Sequence, residues 1–69
     1  MNLKQAINKS GLTQQKVSEL AEVSRGTVNT AIQGKQAIRY AYAQKIVDAI
    51  NEHKGTNHTV ESLSIKTLD

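Results

Sequence analysis

Cysteine, proline, tryptophan and phenylalanine are all absent from the 69-residue chain. Without cysteine there is no disulfide and no thiolate metal site. His53 and His58 are the only histidines, too few to hold a structural zinc without sulfur ligands, and they read as surface residues. No apolar run approaches the roughly 20 residues that a membrane span needs. The segment Met1-Asn2-Leu3-Lys4-Gln5 lacks the apolar stretch of a secretory signal. The expectation is a cytoplasmic protein. No Ser-His-Asp, Cys-His or paired-carboxylate arrangement can be defended from these residues. An enzyme is therefore not expected, and neither is a cofactor, a metal or a small-molecule ligand. Without Phe or Trp, the core must be made of Leu, Ile, Val and Ala, with help from Tyr40 and Tyr42.

A chain of this length holds one small domain and buries only about 60% of the surface that its unfolded form exposes. Its formal net charge is +3, and the charge is unevenly spread. Residues 1–45 carry Lys4, Lys9, Lys16, Arg25, Lys35, Arg39 and Lys45 against Glu19 and Glu22, a net of +5. Residues 46–69 carry Lys54 and Lys66 against Asp48, Glu52, Glu61 and Asp69, a net of −2. Such a split suits a polyanion on one face. A solvated surface can carry the same scatter, so charge alone decides nothing.

Three of the four glycines sit where helices end. From Asn2, the residues Leu3, Ala6 and Ile7 form the i, i+3, i+4 stripe of an amphipathic helix. Gly11 supplies the left-handed residue after it, and Leu12 closes the cap. Thr13 is the N-cap of a second helix with Val17, Leu20 and Ala21 inward; Lys16 stands where a capping box needs Glu or Gln. That helix stops near Ala21. After Glu22 and Val23, Ser24 caps a third helix whose inner face is Val28, Ala31 and Ile32, and Gly34 ends it. Val23 can pack on Val28 as a hydrophobic staple. A fourth helix starts around Ala37–Tyr40, with the stripe Ile38, Tyr42, Ile46, Ala49 and Ile50, and Gly55 closes it. Tyr42 is expected in the core and Tyr40 outside. Thr59 is the candidate cap of one last turn holding Val60 and Leu63. The fold class is all-α: a compact bundle of four to five helices. Residues 1–63 form the domain and 64–69 a C-terminal tail.

Within Gln14–Gln33, two short helices flank a three-residue turn, with the small residues Ser18 and Ala21 where the helices must approach closely. This is a helix-turn-helix pattern. Leu12-Thr13-Gln14, Val17-Ser18-Glu19 and Val23-Ser24-Arg25-Gly26-Thr27-Val28 resemble the phage repressor and Cro (Xre-type, lambda-repressor-like) family. The second half, with Gln33-Gly34-Lys35, also looks like the headpiece of the lactose-repressor family. That headpiece begins with its helix-turn-helix, whereas a full helix precedes the motif here. The resemblance to phage repressors covers about residues 3–63. Two positions depart from the family pattern. Glu22 replaces the usual glycine of the turn, at a cost of roughly 1 kcal/mol or more. Lys16 replaces a glutamate in the first turn of the second helix, which suits phosphates better than it suits the helix dipole.

The resemblance implies a sequence-specific regulator that binds an operator in double-stranded DNA and reads the major groove with the third helix, about residues 25–33. Arg25, Gly26, Asn29 and Thr30 are the candidate base-reading residues. A guanidinium can bond guanine O6 and N7 together; an asparagine can read adenine or hold a phosphate. Gly26 either lets the helix sit deep in the groove or is a tolerated glycine near a helix start. Gln14, Lys16, Ser24, Thr27, Gln33, Lys35 and Arg39 are the candidate backbone contacts. A homodimer, at least on DNA, is expected, because one recognition helix reads only a few base pairs. Leu63, Ile65 and Leu68 are the candidate dimer contacts, either as a short strand or as a packing patch, with a frayed terminus as the other reading. A different class of function is a protein-interaction module, such as an antirepressor or antitoxin acting on another regulator.

Overall fold

The computed structural model describes residues 1–68. Asp69, the last residue of the expected tail, lies outside the described residues. Among the described residues four helices form: α1 (Leu3–Ser10), α2 (Gln14–Ala21), α3 (Arg25–Gln33) and α4 (Tyr40–Lys54). Except at the start of α4, each boundary has a local cause. The Asn2 side chain accepts the Gln5 N–H at 2.9 Å while the Gln5 side chain accepts the Asn2 N–H at 2.9 Å, which is a complete capping box. Thr13 accepts from the Lys16 N–H at 3.1 Å and Ser24 from the Thr27 N–H at 3.1 Å. Both caps satisfy a backbone donor that the helix itself leaves unpaired. α1, α3 and α4 each end on a left-handed glycine, at Gly11, Gly34 and Gly55.

α2 ends differently. Glu22 takes the left-handed conformation at φ 58° and ψ 40°, where a side chain crowds the backbone at a cost of roughly 1–2 kcal/mol. Glu22→Gly removes that cost but adds freedom to the unfolded chain. We expect a net gain of about 0.5–1 kcal/mol, or a few degrees in the melting temperature of a domain this small. Thermal unfolding checks it; an unchanged or lower midpoint means that the glutamate repays the strain through contacts of its own.

α4 packs chiefly on α2 and also on α1, while α3 sits on α2. The core between them includes Leu3, Ala6 and Ile7 of α1, Val17 and Ala21 of α2, Val28 and Ala31 of α3, and Ala43, Ile46, Val47 and Ile50 of α4. Among the described residues, Ser10 and Ser18 are the buried polar ones. Their hydroxyls donate to the Ile7 and Gln15 carbonyls at 2.6 and 2.7 Å, so neither is left unpaired.

The expected stripes need three corrections. Leu20 is exposed, and Ser18 takes the inward place beside Val17 and Ala21. Tyr42 is exposed, while Tyr40 packs against the core. The reason is the start of α4: Ile38 lies before the helix, so the inward face runs through Ala43, Ile46 and Val47 and turns Tyr42 out. The Tyr40 hydroxyl donates to the Glu61 carboxylate at 3.3 Å. The Glu61 charge, with burial and that hydrogen bond, raises the tyrosine pKa above its ordinary value of 10.0.

Among the described residues the expected last turn capped by Thr59 forms, but it does not extend into a fifth helix. Residues 60–64 make turns, with Thr59 and Ser62 capping each other: the Thr59 N–H donates to Ser62 Oγ at 2.9 Å and the Ser62 N–H to Thr59 Oγ1 at 3.0 Å. Asn51 ties this segment to α4. Its amide donates to the His58 carbonyl and its oxygen accepts from the His58 N–H, both at 2.9 Å. Beyond the turns the chain runs extended, and Thr67 pairs with Ile38 in a single parallel bridge. The Ile38 N–H donates to the Lys66 carbonyl at 3.1 Å and the Leu68 N–H to the Ile38 carbonyl at 2.9 Å.

This overturns two of the three expected dimer contacts. Leu63 is 1% and Ile65 7% exposed, buried with Val60 in the chain's own core. The small bundle does have room for them, because the Ile38 bridge folds residues 65–68 back onto the start of α4. Leu68, at 70% exposed, remains on the surface.

Candidate nucleic-acid interface

The turn Glu22-Val23-Ser24 sets the direction of α3. Val23 is half-buried against the core, and Ser24 caps the new helix. Its hydroxyl also lies 2.8 Å from Thr27 Oγ1, so the two side chains stiffen the first turn together. With Val28 and Ala31 buried and Ile32 packed on the core, the opposite side of α3 faces outward. Arg25, Gly26, Asn29 and Gln33 are exposed on it, and Thr30 is half-buried. All four expected base-reading residues therefore lie on the free side of one helix.

α3 contains no carboxylate, and neither α2 nor α3 has an acidic residue in its first turn. Their positive N-terminal ends are thus left uncompensated and favour an anion. Lys16 approaches Glu19 at 3.9 Å, but both side chains are more than half exposed, so the pair holds the lysine only weakly.

Two depressions flank this face. Thr30, Gln33, Lys35 and Gln36 line one at the end of α3. The other brings Gln14 and Thr13 of the α2 entrance beside Lys4 and Asn8 of α1, over Ile7, Leu12 and Ile32. Lys4, Asn8 and Gln36 were not singled out from the sequence. A signal for the first two was present: they stand four apart on α1, outside its Leu3-Ala6-Ile7 stripe. Arg39 is exposed at the N-cap of α4, with no side-chain cap bond. Lys35 and Arg39 belong to the loop that the Ile38–Thr67 bridge pins, so the C-terminal segment helps to position both cations. Ser24 and Thr27 face each other, while Gln14 and Lys16 are exposed at the start of α2.

Gly26 has an ordinary backbone conformation, and a Cβ added there would meet only Ser24 Oγ, at 3.8 Å. Nothing within the protein requires a glycine at this position. Among the described residues, no group of three His, Asp or Glu side chains is placed to hold a metal ion. No helix of the described residues is long and apolar enough to cross a membrane.

Comparison with curated proteins and with solved structures finds no match. A helix-turn-helix family model (HTH_3) matches residues 3–55, which spans all four helices. The motif inferred between Gln14 and Gln33 lies inside that match, and the chain accordingly belongs to the Xre/lambda-repressor-like helix-turn-helix family of DNA-binding regulators.

Proposed function

We propose that the protein is a Cro- or repressor-like regulator that reads an operator by placing α3 in the major groove. The exposed side of α3 carries the reading. It offers the guanidinium of Arg25, the amides of Asn29 and Gln33 and the hydroxyl of Thr30, with no carboxylate to repel phosphate. Arg25, Asn29 and Thr30 read base edges, and Gly26 allows the close approach. Gln14, Lys16, Ser24, Thr27, Gln33, Lys35 and Arg39 hold the sugar–phosphate backbone, joined by Lys4 and Asn8 from α1. Regulation follows from steric occupation of the site, in the cytoplasm, as suits a phage or other mobile element. Two copies occupy half-sites about one helical turn apart. Leu68 is the tail residue left on the surface to contribute to that pairing.

Fluorescence anisotropy on duplex DNA at several salt concentrations tests this reading. Neutralising about four to six phosphates per subunit gives a log–log salt slope of about −4 to −5. Lys35→Ala is expected to weaken all sequences alike and to flatten the slope by about one unit. Unchanged affinity and slope would remove Lys35 from the footprint. Gly26→Ala separates groove approach from folding. It stabilises the free protein by at most about 1 kcal/mol, yet is expected to weaken DNA binding. Equal or tighter binding means that α3 does not approach the bases at this point.

A further inference from the structure

Two grooves that the DNA reading leaves unused lie on opposite sides of α4. The first runs between the end of α2 and the middle of α4, over Leu20, Ala21 and Ala49. Its rim carries Glu22, Asp48 and Glu52, with Lys45 as the one cation. Three of the chain's six acidic residues thus gather in one place on a protein of net charge +3. Among the described residues the close ion pair is Lys16 with Glu19, so none of these three carboxylates is held in a salt bridge, and Lys45 offsets only part of their charge. Leu20 stands on this face at 45% exposed. Glu22 is held here at φ 58°, where a glycine would fold more easily. Strain retained at a charged residue points to a use for that charge.

The second groove lies between α1 and the end of α4. Its lining is mostly apolar, from Met1, Ala6 and Ile50, and Lys9, Lys54 and His58 stand around it. At about 100° per residue, positions 45, 48, 49 and 52 fall on one side of α4, and positions 50 and 54 on the other. One face therefore presents a leucine within carboxylates, and the far face an apolar groove between lysines.

We propose that these two faces bind each other between copies of this chain. Leu20 of one copy enters the apolar groove of the next, and Glu22, Asp48 and Glu52 meet Lys9 and Lys54. Each copy uses a different face toward each neighbour, so the contact is heterologous and repeats head to tail rather than closing at two chains. Neither groove includes Arg25, Asn29, Thr30 or Lys35, which leaves the α3 face open to DNA. The contact needs no DNA and stands apart from the reading above. On DNA, it would let one bound copy recruit the next beyond a pair of half-sites.

Sedimentation velocity of the full chain without DNA tests the proposal, from about 10 μM to about 1 mM, the range of weak contacts. The mean mass is expected to rise past two chains without a plateau, and less steeply as salt screens the charges. Glu52→Lys and Lys54→Glu each shift the association at least about ten-fold to higher concentration. An equimolar mixture of the two variants recovers association as mixed pairs, because the intact acidic face of one meets the intact basic groove of the other. Both positions are exposed, and circular dichroism verifies that each variant is folded. A monomer at every concentration overturns the proposal. So does a plateau at two chains that both variants leave unchanged, or a mixture that associates no better than its components.

Discussion

Replacing Leu63 by alanine is expected to cost about 2–5 kcal/mol of folding stability. A domain of this length has only roughly 3–10 kcal/mol in total, so the variant is expected to be partly unfolded at moderate temperature. The side chain is 1% exposed, and its removal leaves a cavity beneath turns that the Thr59–Ser62 caps hold in place. The loss also reaches the DNA face, because the same segment leads into the bridge that pins Ile38 between Lys35 and Arg39. Leu68→Ala is the control. That side chain is 70% exposed, and its loss is expected to change stability by no more than about 0.5 kcal/mol. Urea denaturation at low micromolar concentration distinguishes the two. If Leu63→Ala unfolded at the same urea concentration as the parent, Leu63 would have to act between chains instead of within one.

Arg25→Ala is expected to cost about 1–3 kcal/mol on the preferred DNA site, or roughly 5- to 150-fold in affinity, and to relax the choice at one base pair. The side chain is exposed on the first residue of α3. Its removal therefore leaves the fold intact, and the change in binding reports on the contact itself. Titrations against the preferred site and against variants at each position give the answer. Equal weakening on every sequence would assign Arg25 to a phosphate.

The helices were legible in the sequence because their ends are chemically marked. Thr13, Ser24, Gly11, Gly34 and Gly55 act locally, and each does in the structure what its residue type permits. The Asn2–Gln5 box is equally local and carries the same kind of mark. The inward faces of α2 and α4 were harder. Leu20 and Tyr42 are apolar enough to be placed inside, but their direction depends on where α4 starts and what covers it. The tail was hardest. Leu63 and Ile65 are buried through a backbone bridge between Ile38 and Thr67, 29 positions apart in the chain. No periodicity announces a pairing over that distance. For the DNA face, the α3 residues followed from one helix and its cap. Lys4 and Asn8 depended on how α1 lies against the entrance of α2.

In this reading, the outward side of α3 selects the base sequence. Selection of bound duplexes from a random library by the full chain, followed by sequencing, tests it most directly. Enrichment of a short motif is expected, repeated as two half-sites with centres about 10–10.5 base pairs apart, in which Arg25→Ala abolishes the preference at one G·C pair. A recovered pool with no enriched motif, or a motif that Arg25→Ala leaves fully intact, would contradict it.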